Sequence, residues 1–177
     1  MRKMRVITAA LCLSAVLLGN AVAQNKSLYE RLGGKDAIKK VVDEFVTITA
    51  ADPRVNKKFA KTNIDRVKFE VVEQICAATG GPCKYTGRDM KTAHKNMGVT
   101  EGEFNAFVEN LVAALDKFNV GDNEKKELLA ILAPMKSQIV EVKSQATGTP
   151  LPPNFKPAPP LKTGKPVANV GKGGNNQ

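Results

Sequence analysis

Apolar residues recur along this chain at intervals of three and four and nowhere alternate singly over the length of a strand, so the pattern predicts helices throughout. Ile38, Val41, Val42, Phe45 and Ile48 mark one face of a helix from about Lys35 to Ala50, closed by Asp52-Pro53. Val67, Val71, Val72, Ile75 and Ala78 mark a second, with Asn63 or Asp65 as its cap and Gly80-Gly81 as its stop. A third carries Phe104, Phe107, Val108, Leu111, Val112, Leu115 and Phe118 behind a capping box of Thr100 and Glu103. The fourth runs from about Asn123 to Lys143 with Leu128, Leu129, Leu132, Met135, Ile139 and Val140, and Pro134 predicts a kink where its missing N–H removes a hydrogen bond. Ser27 and Glu30 form another capping box ahead of a short helix that ends at Gly33-Gly34, and a short segment with Val55 and Phe59 follows the first long helix. Two long helices before a central loop and two after it predict an all-α fold of packed antiparallel pairs.

Composition trims both ends. Residues 1–23 read as a secretory leader: Arg2, Lys3 and Arg5 precede an apolar run from Val6 to Leu18, and Ala21-Val22-Ala23 is a small-x-small cleavage site. The run is too short for a membrane span, and the bulky Leu11 before Cys12 does not fit a lipoprotein box, so the expected product is a periplasmic or secreted soluble protein starting at Gln24. Residues 145–177 hold seven of the ten prolines, four lysines and no acid, a composition that predicts an extended, disordered Pro/Lys/Gly-rich tail. The domain is then expected over 24–144. The formal charge of +10 shrinks accordingly, because this central span carries 20 basic against 17 acidic residues. That balance gives no argument for a nucleic-acid partner.

The central loop carries the candidate chemistry. Some twenty residues from Gly80 to Gly98 are spent on a Gly-rich loop and a helix of one to two turns, which a compact helical domain seldom does without a use for them. They deliver His94, the one histidine of the chain. Met90, Ala93, His94 and Met97 share a helical face, so the imidazole is either a core histidine bonded to a carbonyl or a metal ligand. Cys76 and Cys83, seven apart, could close a small disulfide loop in an oxidising compartment or remain two separate thiols.

From Ser27 to Val142 the chain resembles the truncated globins, and within them group one. The resemblance rests on Leu28-Tyr29-Glu30-Arg31-Leu32-Gly33-Gly34, Phe45, Asp52-Pro53, Phe59, Gly80-Gly81-Pro82, Tyr85-Thr86-Gly87, Met90 and His94. It implies a truncated globin domain, a two-over-two helical sandwich around haem b, with His94 as the iron ligand and the opposite coordination position left to a diatomic gas such as dioxygen, nitric oxide or carbon monoxide. No Cys-x-x-Cys-His occurs, so the haem is expected to be held noncovalently. Phe45, Phe59, Met90, Val99, Phe104 and Leu111 are candidate haem contacts, and Lys84, Tyr85, Arg88 and Lys91 are candidates for its propionates. A solvated or core role suits each of these equally well.

The departures from the family pattern lie on the gas side. Val46 stands where this family commonly has a tyrosine, and Val67 and Val71 stand where a glutamine or other polar residue often faces the gas. An apolar gas side is therefore expected, with Thr47 or Gln74 as donors if a helix is rotated. Dioxygen depends on such a donor, and losing one costs about 1–3 kcal/mol. The implied roles are oxygen carriage or nitric oxide removal, and turnover as a dioxygenase would need an outside redox partner. Two other classes remain: a periplasmic copper protein using Met90, His94 and Met97, and a helical adaptor docking a partner through its proline-lysine tail.

Overall fold

The computed structural model describes residues 26–157. The leader at 1–23 and the tail beyond 157 lie outside them. The chain forms α1 (Leu28–Arg31), α2 (Gly34–Ala51), α3 (Ile64–Ala78), α4 (Met90–His94), α5 (Glu101–Lys117), α6 (Asp122–Leu132) and α7 (Lys136–Ile139), with 3-10 turns at Asn56–Phe59 and Ala133–Met135. The described residues include no strand, and one isolated parallel bridge joins Thr100 to Val142. No helix among them is long and apolar enough to cross a membrane.

The predicted boundaries follow from local chemistry. Ser27 and Thr100 each accept the backbone N–H of the glutamate three residues on, and each glutamate reaches back to the cap, so both capping boxes form. The side chain of Asn63 caps α3 by accepting from the N–H of Arg66. Gly33 and Gly34 turn the chain from α1 into α2 at φ of 87° and 77°, a left-handed conformation that side chains disfavour. Pro134 does interrupt the last long helix: α6 stops at Leu132, and the chain passes through the 3-10 turn before α7.

Helix α2 is the hub, packed against both α3 and α5. Its Ile38, Val41, Val42, Phe45 and Val46 meet Val72, Ile75 and Cys76 of α3, Leu111, Ala114 and Leu115 of α5, and Leu128 of α6 in one buried cluster. Each large side chain buried there contributes about 1.5–3 kcal/mol by leaving water. The Phe107 ring meets Phe45 edge-on at a centroid distance of 4.6 Å and stacks on Phe59 at 6.1 Å. The helical stripe overreached in two places. Phe118 is 41% exposed, because it is the C-cap beyond the last turn of α5. Ala93 is exposed on the outer side of α4 and does not share the half-buried side of Met90 and His94.

Cys76, in the last turn of α3, and Cys83, in the loop after it, stand in disulfide geometry with Cα atoms 5.7 Å apart. The expected tail also begins later than Gln145. The Thr149 N–H and hydroxyl both donate to Glu103, at 2.8 and 2.6 Å, and the Gly148 N–H donates to the Arg54 carbonyl at 2.6 Å. Gly102 lies so close to the Gln145 backbone that a Cβ there would overlap its carbonyl. Composition could not disclose this, because the segment is held by backbone groups and two buried ionic side chains and not by apolar burial of its own.

Candidate functional site

The site begins with the histidine. Asp89 caps α4 by accepting the N–H of Thr92 at 2.9 Å, which starts the short helix at Met90. One turn later the Nδ1 of His94 lies 2.9 Å from the Met90 carbonyl oxygen. A carbonyl only accepts, so Nδ1 carries the proton and Nε2 keeps its lone pair. Burial holds the imidazole below its ordinary pKa, against the opposing pull of the Met90 hydrogen bond and the Glu141 carboxylate, so the ring is neutral at pH 7.

The turn behind His94 is clamped twice. Asn96 and Gly98 both sit at φ of 63°, and their N–H groups converge on the two carboxylate oxygens of Glu141 at 2.7 and 2.6 Å. Backbone N–H groups in such a turn make a concave anion seat, here filled by a side chain of the protein itself. From the other side the Nζ of Lys58 donates to the carbonyls of Met97 and Gly98, each at 3.0 Å, and to that of Pro150 at 3.3 Å. Lys58 also pairs with Glu103 at 3.4 Å, so the turn is tied to the start of α5 and to the C-terminal segment together.

Apart from the histidine, an apolar chamber lies between α2, α3 and α5. It is a cavity of about 20 Å³ walled by Phe45, Val46, Phe59, Val67 and Phe107 among others, and Thr49 supplies its one hydroxyl. The structure thus brings the predicted Phe45, Phe59 and Val67 together. Val71 is half-buried and packs against the main core. Thr47 is exposed and spends its hydroxyl on the Asp43 carbonyl at 2.9 Å, so it supplies no donor to the chamber.

The remaining candidates lie near the histidine helix. Met90 is half-buried, and its sulfur lies 3.6 Å from the Gln74 amide nitrogen, which also meets the Met135 sulfur at 3.4 Å. Tyr85 is half-buried and donates its hydroxyl to the Arg88 carbonyl at 2.6 Å. Burial first, then Glu70 and Asp89, raise the phenol above its usual pKa, so it stays a donor at neutral pH. Lys84 is exposed and Arg88 half-buried on the same loop. Among the described residues no group of three or more His, Cys, Asp or Glu is arranged to hold a metal ion.

Sequence reasoning missed Thr49, Lys58, Glu103 as a buried anion, and Glu141. Thr49 was within reach, since it lies four residues after Phe45 and three after Val46 on the same helix. The others carry no apolar pattern that would have singled them out.

One neutral, carbonyl-oriented imidazole on a short helix, set among packed helices, is what a haem protein of the globin class requires of its iron ligand. Residues 27–141 match the bacterial-like globin family. A group 1 truncated hemoglobin, GlbN, of Mycolicibacterium paratuberculosis is 36% identical over 117 residues, covering 66% of this chain and 86% of that one. Truncated hemoglobin from Tetrahymena pyriformis in its Fe(III) form superposes with a TM-score of 0.63 at 31% identity, covering 65% of this chain and 98% of that one. The 2/2 hemoglobin of Synechococcus sp. PCC 7002, solved in the cyanomet state with covalently attached heme, gives a TM-score of 0.62 at 32% identity over the same shares. The chain belongs to the bacterial-like globin family and, within it, to the group 1 truncated haemoglobins.

Haem is therefore its cofactor, and the residues present fit that group. His94 is held as the tautomer whose Nε2 can ligate, by the orienting hydrogen bond that metal-bound histidines require. Beside it, the soft Met90 and Met135 side chains, both meeting the Gln74 amide, suit a flat apolar ring.

Proposed function

We propose that this protein binds haem b through Nε2 of His94 and takes up diatomic gases on the other face, with dioxygen carriage or nitric oxide removal as its role. Haem iron held by one histidine supplies an open coordination position for such a gas. The observation that carries the reading is the His94 Nδ1 to Met90 carbonyl hydrogen bond of 2.9 Å, which leaves one lone pair on Nε2 and fixes the plane of the ring.

Each part of the surround then has a task. Met90 orients the imidazole, while Glu141 and Lys58 hold the turn behind it, so the ligand nitrogen is kept from swinging. Phe45, Val46, Phe59, Val67 and Phe107 exclude water from the gas side. Arg88 and Lys84 lie on the loop leading into α4, where their cationic groups can meet the haem propionates, while Tyr85 gives its hydroxyl proton to the Arg88 carbonyl. Removing nitric oxide catalytically would need electrons from a separate redox partner.

We also propose that residues 1–23 direct export, so that the globin works in the periplasm or outside the cell, and that Cys76 and Cys83 are bonded there. Anaerobic titration of the haem-loaded protein with carbon monoxide and nitric oxide, followed by exposure to dioxygen, tests the gas reading. Saturable, reversible spectral shifts with each gas support it, and a ferrous haem spectrum indifferent to all three refutes it.

A further inference from the structure

The family match ends at residue 141, and the chain continues against the fold beyond it. An α-helix begins with N–H groups that have no partner inside the helix. At the start of α5 the Glu101 N–H donates to the Val142 carbonyl at 3.2 Å, and the Gly102 N–H donates to the Ser144 carbonyl at 3.1 Å. The Thr100 hydroxyl donates to the Ala146 carbonyl at 2.5 Å. The segment from Val142 onward therefore lies along the first turn of α5 and completes its cap, and Pro152 brings it back beside Gly98.

Thr149 closes a relay from this segment to the histidine turn. Its N–H and hydroxyl both donate to one oxygen of Glu103, and the other oxygen faces Lys58 at 3.4 Å. Lys58 in turn holds the Met97 and Gly98 carbonyls, just past His94, together with that of Pro150. Glu103 and Lys58 are 1% and 4% exposed, so water does not replace a contact that the segment gives up. Undocking would strand a buried carboxylate and draw the ammonium toward it, away from the two carbonyls. Gly102 marks how close the fit is: it is buried in α5, and a Cβ there would overlap the Gln145 and Ala146 carbonyls. Glycine weakens a helix relative to alanine, so the missing side chain serves the docked segment.

We propose that residues 142–152 are a strap on the histidine side of this globin. Thr149 is its positioning residue, acting through Glu103 and Lys58 on the turn that fixes His94, and so sets how firmly haem is retained. The proposal rests on the haem-binding reading above. Because such coupling is reciprocal, bound haem also holds the strap down.

The test uses the whole haem-loaded chain as wild type, Gly102→Ala, Thr149→Val and Thr149→Ser. Transfer of haem to a scavenging apoglobin should run about tenfold faster from Gly102→Ala and about threefold faster from Thr149→Val. Thr149→Ser, which keeps the hydroxyl, should stay near wild type. The iron–histidine stretching band of the ferrous form should shift in the first two variants and not in the third. Without haem, the Gly148 and Thr149 amides should exchange slowly in wild type and quickly in Gly102→Ala. Fast exchange of those amides in wild type, or a Gly102→Ala protein that melts higher than wild type as an unobstructed helix would, overturns the docked strap. Quick exchange in Gly102→Ala with unchanged haem transfer and an unmoved iron–histidine band overturns the positioning role and leaves the haem reading standing. A wild type that develops no Soret band with haemin overturns both.

Discussion

The Nζ of Lys58 lies 3.4 Å from a carboxylate oxygen of Glu103, and the two side chains are only 5% and 2% exposed. Neither ion is alone: the ammonium faces three carbonyls, and the carboxylate accepts from Thr100 and Thr149. A buried pair adds little over an apolar substitute, but removing one member strands the other charge. Lys58→Met should therefore destabilise the protein by about 3–5 kcal/mol in urea unfolding. Because it also frees the Met97 and Gly98 carbonyls, the variant should lose haem faster than wild type. A cost below about 1 kcal/mol would mean that the pair is not buried in solution.

The end of α2 provides a pH-dependent element. The carboxylate of Asp52 accepts from the Arg54 guanidinium and backbone and from the side chain of Asn110. The Arg54 hydrogen bonds hold it below its ordinary value of 3.8, with Asn110 helping and burial opposing. A depressed carboxylate stabilises the fold above its unfolded value and loses that contribution as pH falls through the folded one. Asp52→Ala should melt below wild type at pH 7, and the gap should narrow as the pH drops beneath 3.8. A gap that persists undiminished in acid would assign the loss to packing.

Cross-linking Cys76 to Cys83 closes a loop over a sequence separation of seven, at the junction between α3 and the loop leading to His94. In the chain-entropy view a loop this short stabilises by about 2–3 kcal/mol. The Cys76→Ala, Cys83→Ala double variant, or wild type under reductant, should lose that amount in denaturant unfolding. Equal stability with and without reductant, together with two titratable thiols in the native protein, would show the cysteines unpaired.

Which parts of this molecule are legible in its sequence follows from what each part is made of. The long helices are written in apolar periodicity and in caps such as Ser27, Asn63 and Thr100, so their ends are readable within a residue or two, except that the last one, expected to reach Lys143, ends at Ile139. His94 stands out by being the single imidazole, and its face of α4 is half right, since Met90 shares it and Ala93 does not. The supports behind it are not written that way. Lys58 and Glu103 look like surface charges until the fold buries them, and Glu141 reaches the Asn96 and Gly98 N–H groups across 45 and 43 residues. Gln145 to Pro150 has the composition of a tail, yet it is anchored through its backbone to those same buried ions.

The central claim is that the lone pair on His94 Nε2 grips haem iron, and absorption spectra of purified wild type beside His94→Ala test it most directly. Wild type is expected to take up haemin with a sharp Soret band that shifts on reduction and again under carbon monoxide. His94→Ala should bind haem weakly with an altered spectrum that added imidazole restores toward wild type. A wild-type protein that stays colourless with haemin but takes up copper, or a His94→Ala protein with the wild-type spectrum in all three states, would contradict the account.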